Sequence, residues 1–109
     1  MNTLRTARVL VNDNFAGTLS ETDEGYLFMY YKAYLASAGS SAVSLTLPLS
    51  GEAYISKTLF PFFDGLIPEG WLLNVVSKNW KINENDRFGL LCVACRDCVG
   101  NISIGGAEV

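Results

Sequence analysis

Apolar and polar positions alternate with period two at the start of this chain and recur at helical spacing in its second half. Residues 7–12, ARVLVN, place Ala7, Val9 and Val11 on one face of a strand and Arg8, Leu10 and Asn12 on the other. Asp13 and Asn14 supply a turn, and residues 15–20 read as the returning strand. Asp23, Glu24 and Gly25 make the next turn. Residues 26–31, YLFMYY, form a third strand, with Tyr26, Phe28 and Tyr30 on one side and Leu27, Met29 and Tyr31 on the other. The opening is an antiparallel meander. KAYLASAGSS reads as loop or one short helical turn. AVSLTLPL, residues 42–49, reads as a short strand stopped by Pro48, and residues 50–57 as a polar loop.

Helical spacing then takes over. Residues 58–67 predict a short helix with Thr58 as N-cap, Pro61 in the first turn and Pro68 as its end. Phe60, Phe63 and Leu66 or Ile67 share one face and read as core. Residues 69–80, EGWLLNVVSKNW, predict a second helix in which Leu72, Val76 and Trp80 stack at i, i+4 and i+8. A third helix starts with Asn83 or Asn85 as its cap. It carries Phe88, Leu91 and Cys95 on one face, with Cys92 beside them, and Gly100 breaks it. NISI at 101–104 is a last strand. The expected architecture is α+β: a small antiparallel, partly barrel-like sheet with about three helices in the second half, in one domain spanning residues 1–109.

Composition narrows the function. Half of the 109 residues are hydrophobic, which fits a packed core rather than disorder. Eight scattered basic residues against 11 acidic ones give a net charge of -3, the wrong field for binding nucleic acid. No basic segment leads into a long apolar stretch, and no apolar run approaches the roughly 18 residues of a membrane span. Three closely spaced cysteines fit a reducing compartment, so a cytoplasmic location is expected.

Catalytic chemistry finds little support. The chain has no histidine, so neither a Ser-His nor a Cys-His dyad can be built within it. Cys92, Cys95 and Cys98 spell C-x-x-C-x-x-C, but a cluster would need a fourth ligand from another subunit, and a dithiol pair lacks its usual strand context. The apolar helical setting of Cys92 and Cys95 reads as core. Gly65, Gly70, Gly105 and Gly106 are not followed by the Lys-Ser/Thr step of a phosphate loop. Asp64 and Glu69 flank the GLIP turn and read as a cap or a solvated turn. Asp86 with Arg87, and Arg96 with Asp97, read as surface or capping charges or as an Arg–Asp brace. No catalytic residue, metal or cofactor is predicted. Trp71 is harder to place. It follows a Pro-Glu-Gly step at a helix start, off the main apolar stripe, and reads equally as core or as an interface anchor.

Several segments occur in an order that resembles a known family. FAGTL at 15–19, YLFMYY followed by YLASAG, SLTLPL, FFDGLIPEG, DRFGLL and a final G-x-I-S strand are similar to the N-terminal subdomain of HipA-type serine/threonine kinases, the toxins of bacterial toxin–antitoxin modules. The resemblance spans roughly residues 4–105. It implies that ATP binding and catalysis belong to a longer protein, so this chain is not itself an enzyme. The initiating methionine and short length lead to the expectation of a stand-alone form similar to HipS-like proteins. On that resemblance the chain is an antitoxin that binds and inhibits a HipT-like kinase lacking this subdomain. A HipB-like DNA-binding protein would complete the complex. The alternative is a non-inhibitory structural subdomain that supports the kinase fold. The expected contact is Trp71 inserting into the kinase, with Asp64, Ile67, Pro68, Glu69 and Gly70 shaping the approach.

Overall fold

The alternation at the start of the chain is realised as three long strands. The computed structural model describes residues 2–37, 39–67, 74, 77–79, 81–83, 85–94 and 102–108. Strands β1 (Thr3–Val11), β2 (Asn14–Thr22) and β3 (Gly25–Tyr30) pair antiparallel in sequence order. The β1–β2 turn is Asn12–Asp13, with φ of 50° and 66°. That is one residue earlier than the sequence reading, and asparagine and aspartate tolerate this left-handed backbone in two-residue hairpins. Ala7 pairs with Leu19 and Leu19 with Phe28, so the apolar face is continuous across three strands. Gly17, opposite Val9 and Tyr30, lets β2 and β3 approach closely: a Cβ there would lie 2.4 Å from the Met29 carbonyl oxygen.

Two more strands extend the sheet. β4 (Tyr54–Ser56) pairs with β3, and β5 (Ile102–Glu108) pairs antiparallel with the free side of β1. The order is β4-β3-β2-β1-β5. The sheet is therefore open, and the expectation of a partly barrel-like sheet is overturned. Closure would require β4 to pair with β5, but these are opposite edges, and β4 has only three residues. Short helices fill the inner face where a barrel would place its other wall.

The helix expectation also changes. Among the described residues there are four helices rather than about three in the second half. The additional one is α1 (Lys32–Ala36), in the stretch read as loop or a single turn. α2 (Pro61–Asp64) is shorter than the predicted helix. Its N-cap position is Phe60 rather than Thr58, and Pro61 sits in the first turn as expected. Residues 74 and 77–79 are helical and belong to α3, and α4 covers Arg87–Ala94. The expected strand at 42–49 is instead a loop with an isolated Ser44–Leu47 bridge, and the expected loop at 50–57 contains β4.

The core lies between the inner sheet face and the helices. Val9, Leu19, Phe28 and Ile104 from the sheet meet Phe63 of α2 and Phe88, Leu90 and Leu91 of α4, all fully buried. Phe28 and Phe63 rings lie 5.6 Å apart, and Phe60 and Phe62 pack edge-on against Phe63. Tilted and edge-on rings gain from their quadrupoles as well as from burial. Cys92 is buried in this core, as its apolar setting predicted, while Cys95 and Cys98 lie outside the described residues.

Candidate functional site

The predicted contact corner begins at the end of α2. Asp64, the last residue of that helix, accepts a hydrogen bond from Arg87 Nε at 2.8 Å. The pair is half-exposed, and the solvent around it screens the attraction. Ile67 follows one turn later, its N–H bonded to the Asp64 carbonyl at 3.2 Å. Its side chain is 4% exposed and packs in the core with Phe60 and Phe63, on the face the helical spacing indicated. Pro68, Glu69, Gly70 and Trp71 lie outside the described residues.

A cleft of about 470 Å³ opens beside Asp64. Tyr26, Lys57, Thr58, Pro61, Asp64 and Arg87 line it. β3 supplies Tyr26, the link from β4 to α2 supplies Lys57 and Thr58, and the first residue of α4 supplies Arg87. Burial, followed by the Glu21 charge, raises the Tyr26 phenol above its ordinary value, so it stays protonated and able to donate. The cleft offers donors, an ion pair and a ring face. That set is suited to binding a polar partner.

A denser ionic brace fixes the cleft wall. Arg5 on β1 donates from Nε and Nη2 to the two Glu21 carboxylate oxygens at 2.7 and 2.9 Å. It also donates from Nη2 and Nη1 to Asp86 at 2.7 and 3.0 Å. Its guanidinium lies 5.0 Å from the centre of the Phe88 ring. The Glu21 hydrogen bond first, and the Asp86 one second, raise the Arg5 pKa further. In return the Arg5 hydrogen bond holds the Asp86 carboxyl below its usual range, against the opposing effect of burial. Asp86 Oδ1 also accepts the Gly89 N–H at 3.1 Å and so caps α4. The cap is Asp86, not Asn83 or Asn85. Asn83 instead accepts the Asn85 N–H at 2.8 Å in the preceding turn.

Sequence reasoning missed the apolar character of the outer sheet face. Met29, Tyr31 and Ile55 are exposed there. A groove of about 280 Å³ runs past Phe15, Thr18, Met29 and Tyr31, and Phe15 and Tyr31 stack with ring centres 4.8 Å apart. The signal was present in YLFMYY, which is apolar on both faces of its strand. Leu45, on the loop between α1 and β4, was also missed because its segment read as a strand. Among the described residues no cluster of three or more His, Cys, Asp or Glu could hold a metal ion. No helix among them is long and apolar enough to cross a membrane.

An open antiparallel sheet backed on one face by short helices, with a polar cleft beside α2 and apolar residues on the outer face, defines a small α+β domain. A family model described as the HipA N-terminal domain matches residues 7–105, and the chain belongs to that family. It is 32% identical over 101 residues to an uncharacterised protein of Haemophilus influenzae, covering 93% of this chain and 92% of that one. It is also similar to a solved structure described as the N-terminal domain of HipA toxin. That likeness has a TM-score of 0.73 and 28% identity, and it covers 100% of this chain and 97% of the other.

Proposed function

We propose that this chain is an assembly module for a HipA-type serine/threonine kinase, taking the place of that kinase's N-terminal subdomain and supporting its fold and complex. It catalyses no reaction itself. The observation that carries this reading is the end-to-end likeness to the N-terminal domain of HipA toxin at 28% identity. The braced cleft and the apolar outer face fit the same role, since both are suited to contact rather than to chemistry. A HipB-like DNA-binding protein is the expected third member of the complex.

A second reading makes the module an inhibitory antitoxin of a HipT-like kinase that lacks this subdomain. The Haemophilus influenzae relative favours it, because this match covers 92% of that protein, which therefore consists of little besides the domain. In this reading Trp71 enters the kinase, and Asp64, Ile67, Pro68, Glu69 and Gly70 set its approach.

Co-purification with the HipA-type kinase encoded beside this chain, followed by a phosphorylation assay with and without it, decides between the two. Tight binding with unchanged or increased activity establishes the assembly module. Tight binding with lost activity establishes the antitoxin, and Trp71→Ala should then restore phosphorylation while the isolated chain stays folded. Absence of binding overturns both readings.

A further inference from the structure

A hollow of about 400 Å³ lies between the tip of the β1–β2 hairpin and the loop that follows α1. Asn12 and Asn14 line it from the hairpin, Ser40 and Ser41 from the loop, and Phe15 and Tyr31 add an aromatic wall. The fold sets each side in place. Asn12 takes the left-handed backbone of the two-residue turn, with φ of 50°. Across the hollow, the buried Tyr34 of α1 pins the loop: its hydroxyl accepts the Ser41 N–H at 3.1 Å and donates to the Ser41 carbonyl at 2.6 Å. Ser37 Oγ donates to the Ala33 carbonyl at 2.9 Å and ties the start of the loop to the same helix. The Tyr31 ring is steadied by its stack on Phe15, yet Tyr31 is 49% exposed.

The lining chemistry selects the occupant. Among the described residues no charged side chain lines this hollow, in a chain of which 17% is charged. A phosphate or carboxylate would find no cation to meet it, and an ammonium no anion. The side chains of Asn12, Asn14, Tyr31, Ser40 and Ser41 have no hydrogen-bond partner among the described residues, so their donors and acceptors are available to a ligand. A lipid chain would cover these groups without satisfying them. The Tyr31 ring offers a face of negative quadrupole potential, which attracts polarised C–H groups. The volume lies within the roughly 300–1,000 Å³ of small-molecule sites.

We propose that this hollow binds a neutral sugar. Its C–H face stacks on Tyr31, and its hydroxyls bond to Asn12, Asn14 and the serine loop. A sugar is uncharged, carries many hydroxyls and has an apolar ring face, which matches the lining on all three counts. Because the walls are already held, binding requires little further ordering. The inference uses no kinase contact and is independent of the assembly reading.

The test titrates the isotope-labelled full chain with D-glucose, N-acetylglucosamine and maltose, with adenosine as comparator, and follows backbone amides by NMR. At least one of the sugars should saturate with a dissociation constant of about 10 mM or tighter, moving the amides of residues 12–15, 31 and 39–41 most. Tyr31→Ala should weaken that sugar about tenfold, and Asn14→Ala, at an exposed position, about threefold or more. Should Tyr31→Ala fail to fold, Asn14→Ala carries the test alone. Absence of saturable shifts with every sugar overturns the proposal. So do shifts centred elsewhere on the molecule, or wild-type affinity in the folded variants. Adenosine binding here more tightly than every sugar overturns it as well, since the site would then be built for a base.

Discussion

Asp86 serves two elements with one carboxylate, capping α4 through the Gly89 N–H and gripping Arg5 on β1. Gly89 makes this dependence measurable. A Cβ there would lie 2.4 Å from Asp86 Oδ2, so alanine must displace the carboxylate from its partners. Glycine to alanine inside a helix ordinarily stabilises by about 1 kcal/mol. Here Gly89→Ala should destabilise by about 1 kcal/mol or more in urea unfolding, because the cap and the charged hydrogen bonds are disturbed. In an Asp86→Ala background the same change should become stabilising. Acidity probes the carboxylate directly. Arg5 holds Asp86 below its ordinary value, so its contribution is complete above the unfolded pKa and lost as pH falls through the folded one. Wild type should lose unfolding free energy more steeply than Asp86→Asn between about pH 5 and pH 2. Equal slopes would mean that Arg5 does not grip this group. The sequence reading put the cap at Asn83 or Asn85 and took Asp86 for a surface or capping charge or part of a brace; the residue both caps α4 and braces Arg5. Its partner was not legible, because Arg5 lies 81 positions away and no local pattern joins them.

At the scale of elements, period-two alternation located β1 and β3, while β2 followed from the turns on either side of it and buries residues on both faces. The same reasoning failed at residues 42–49. Val43 and Leu47 are buried as an alternating strand would bury them, but β4 takes the edge of β3, and Tyr30 binds the backbone groups of this segment instead. β4 was missed because Tyr54, Ile55 and Ser56 are too few to show a period within a polar stretch. Of the predicted contact corner, the core side at Ile67 followed from helical spacing, whereas the Asp64–Arg87 pair depends on how α2 meets α4. Tyr30→Phe isolates the hold of Tyr30 on residues 43–47. It keeps the ring but leaves the Val43 N–H and the Leu47 carbonyl without their buried partner, at a cost of about 1–3 kcal/mol. The Val43 amide should exchange with deuterium markedly faster, while amides of the β1–β2 ladder change only with the global stability. Unchanged Val43 protection would show that the loop is held by other means.

Across the whole molecule, the α+β class was legible from the order of patterns, but openness of the sheet was not. Closure depends on which edges meet, and β5 returns to β1 while β4 adds to β3. β1 thus lies between an early strand and a late one, and Ile102 and Ile104 complete the inner face against Val11 and Val9. A chain shortened to residues 1–94 should therefore fail to give a dispersed amide spectrum. It would bare the edge of β1 and uncover fully buried Val9. A native-like spectrum would show that β5 is dispensable. The same return of β5 to β1 has a consequence in time. During synthesis the three-stranded meander leaves the ribosome well before its neighbour strand exists. At about 5–20 residues per second the wait between β3 and β5 is roughly 4–14 s. Throughout that interval β1 offers an unpaired edge and an incomplete apolar face to whatever is nearby. A partner already present in the cell could meet this half-built sheet before the chain has finished folding on its own.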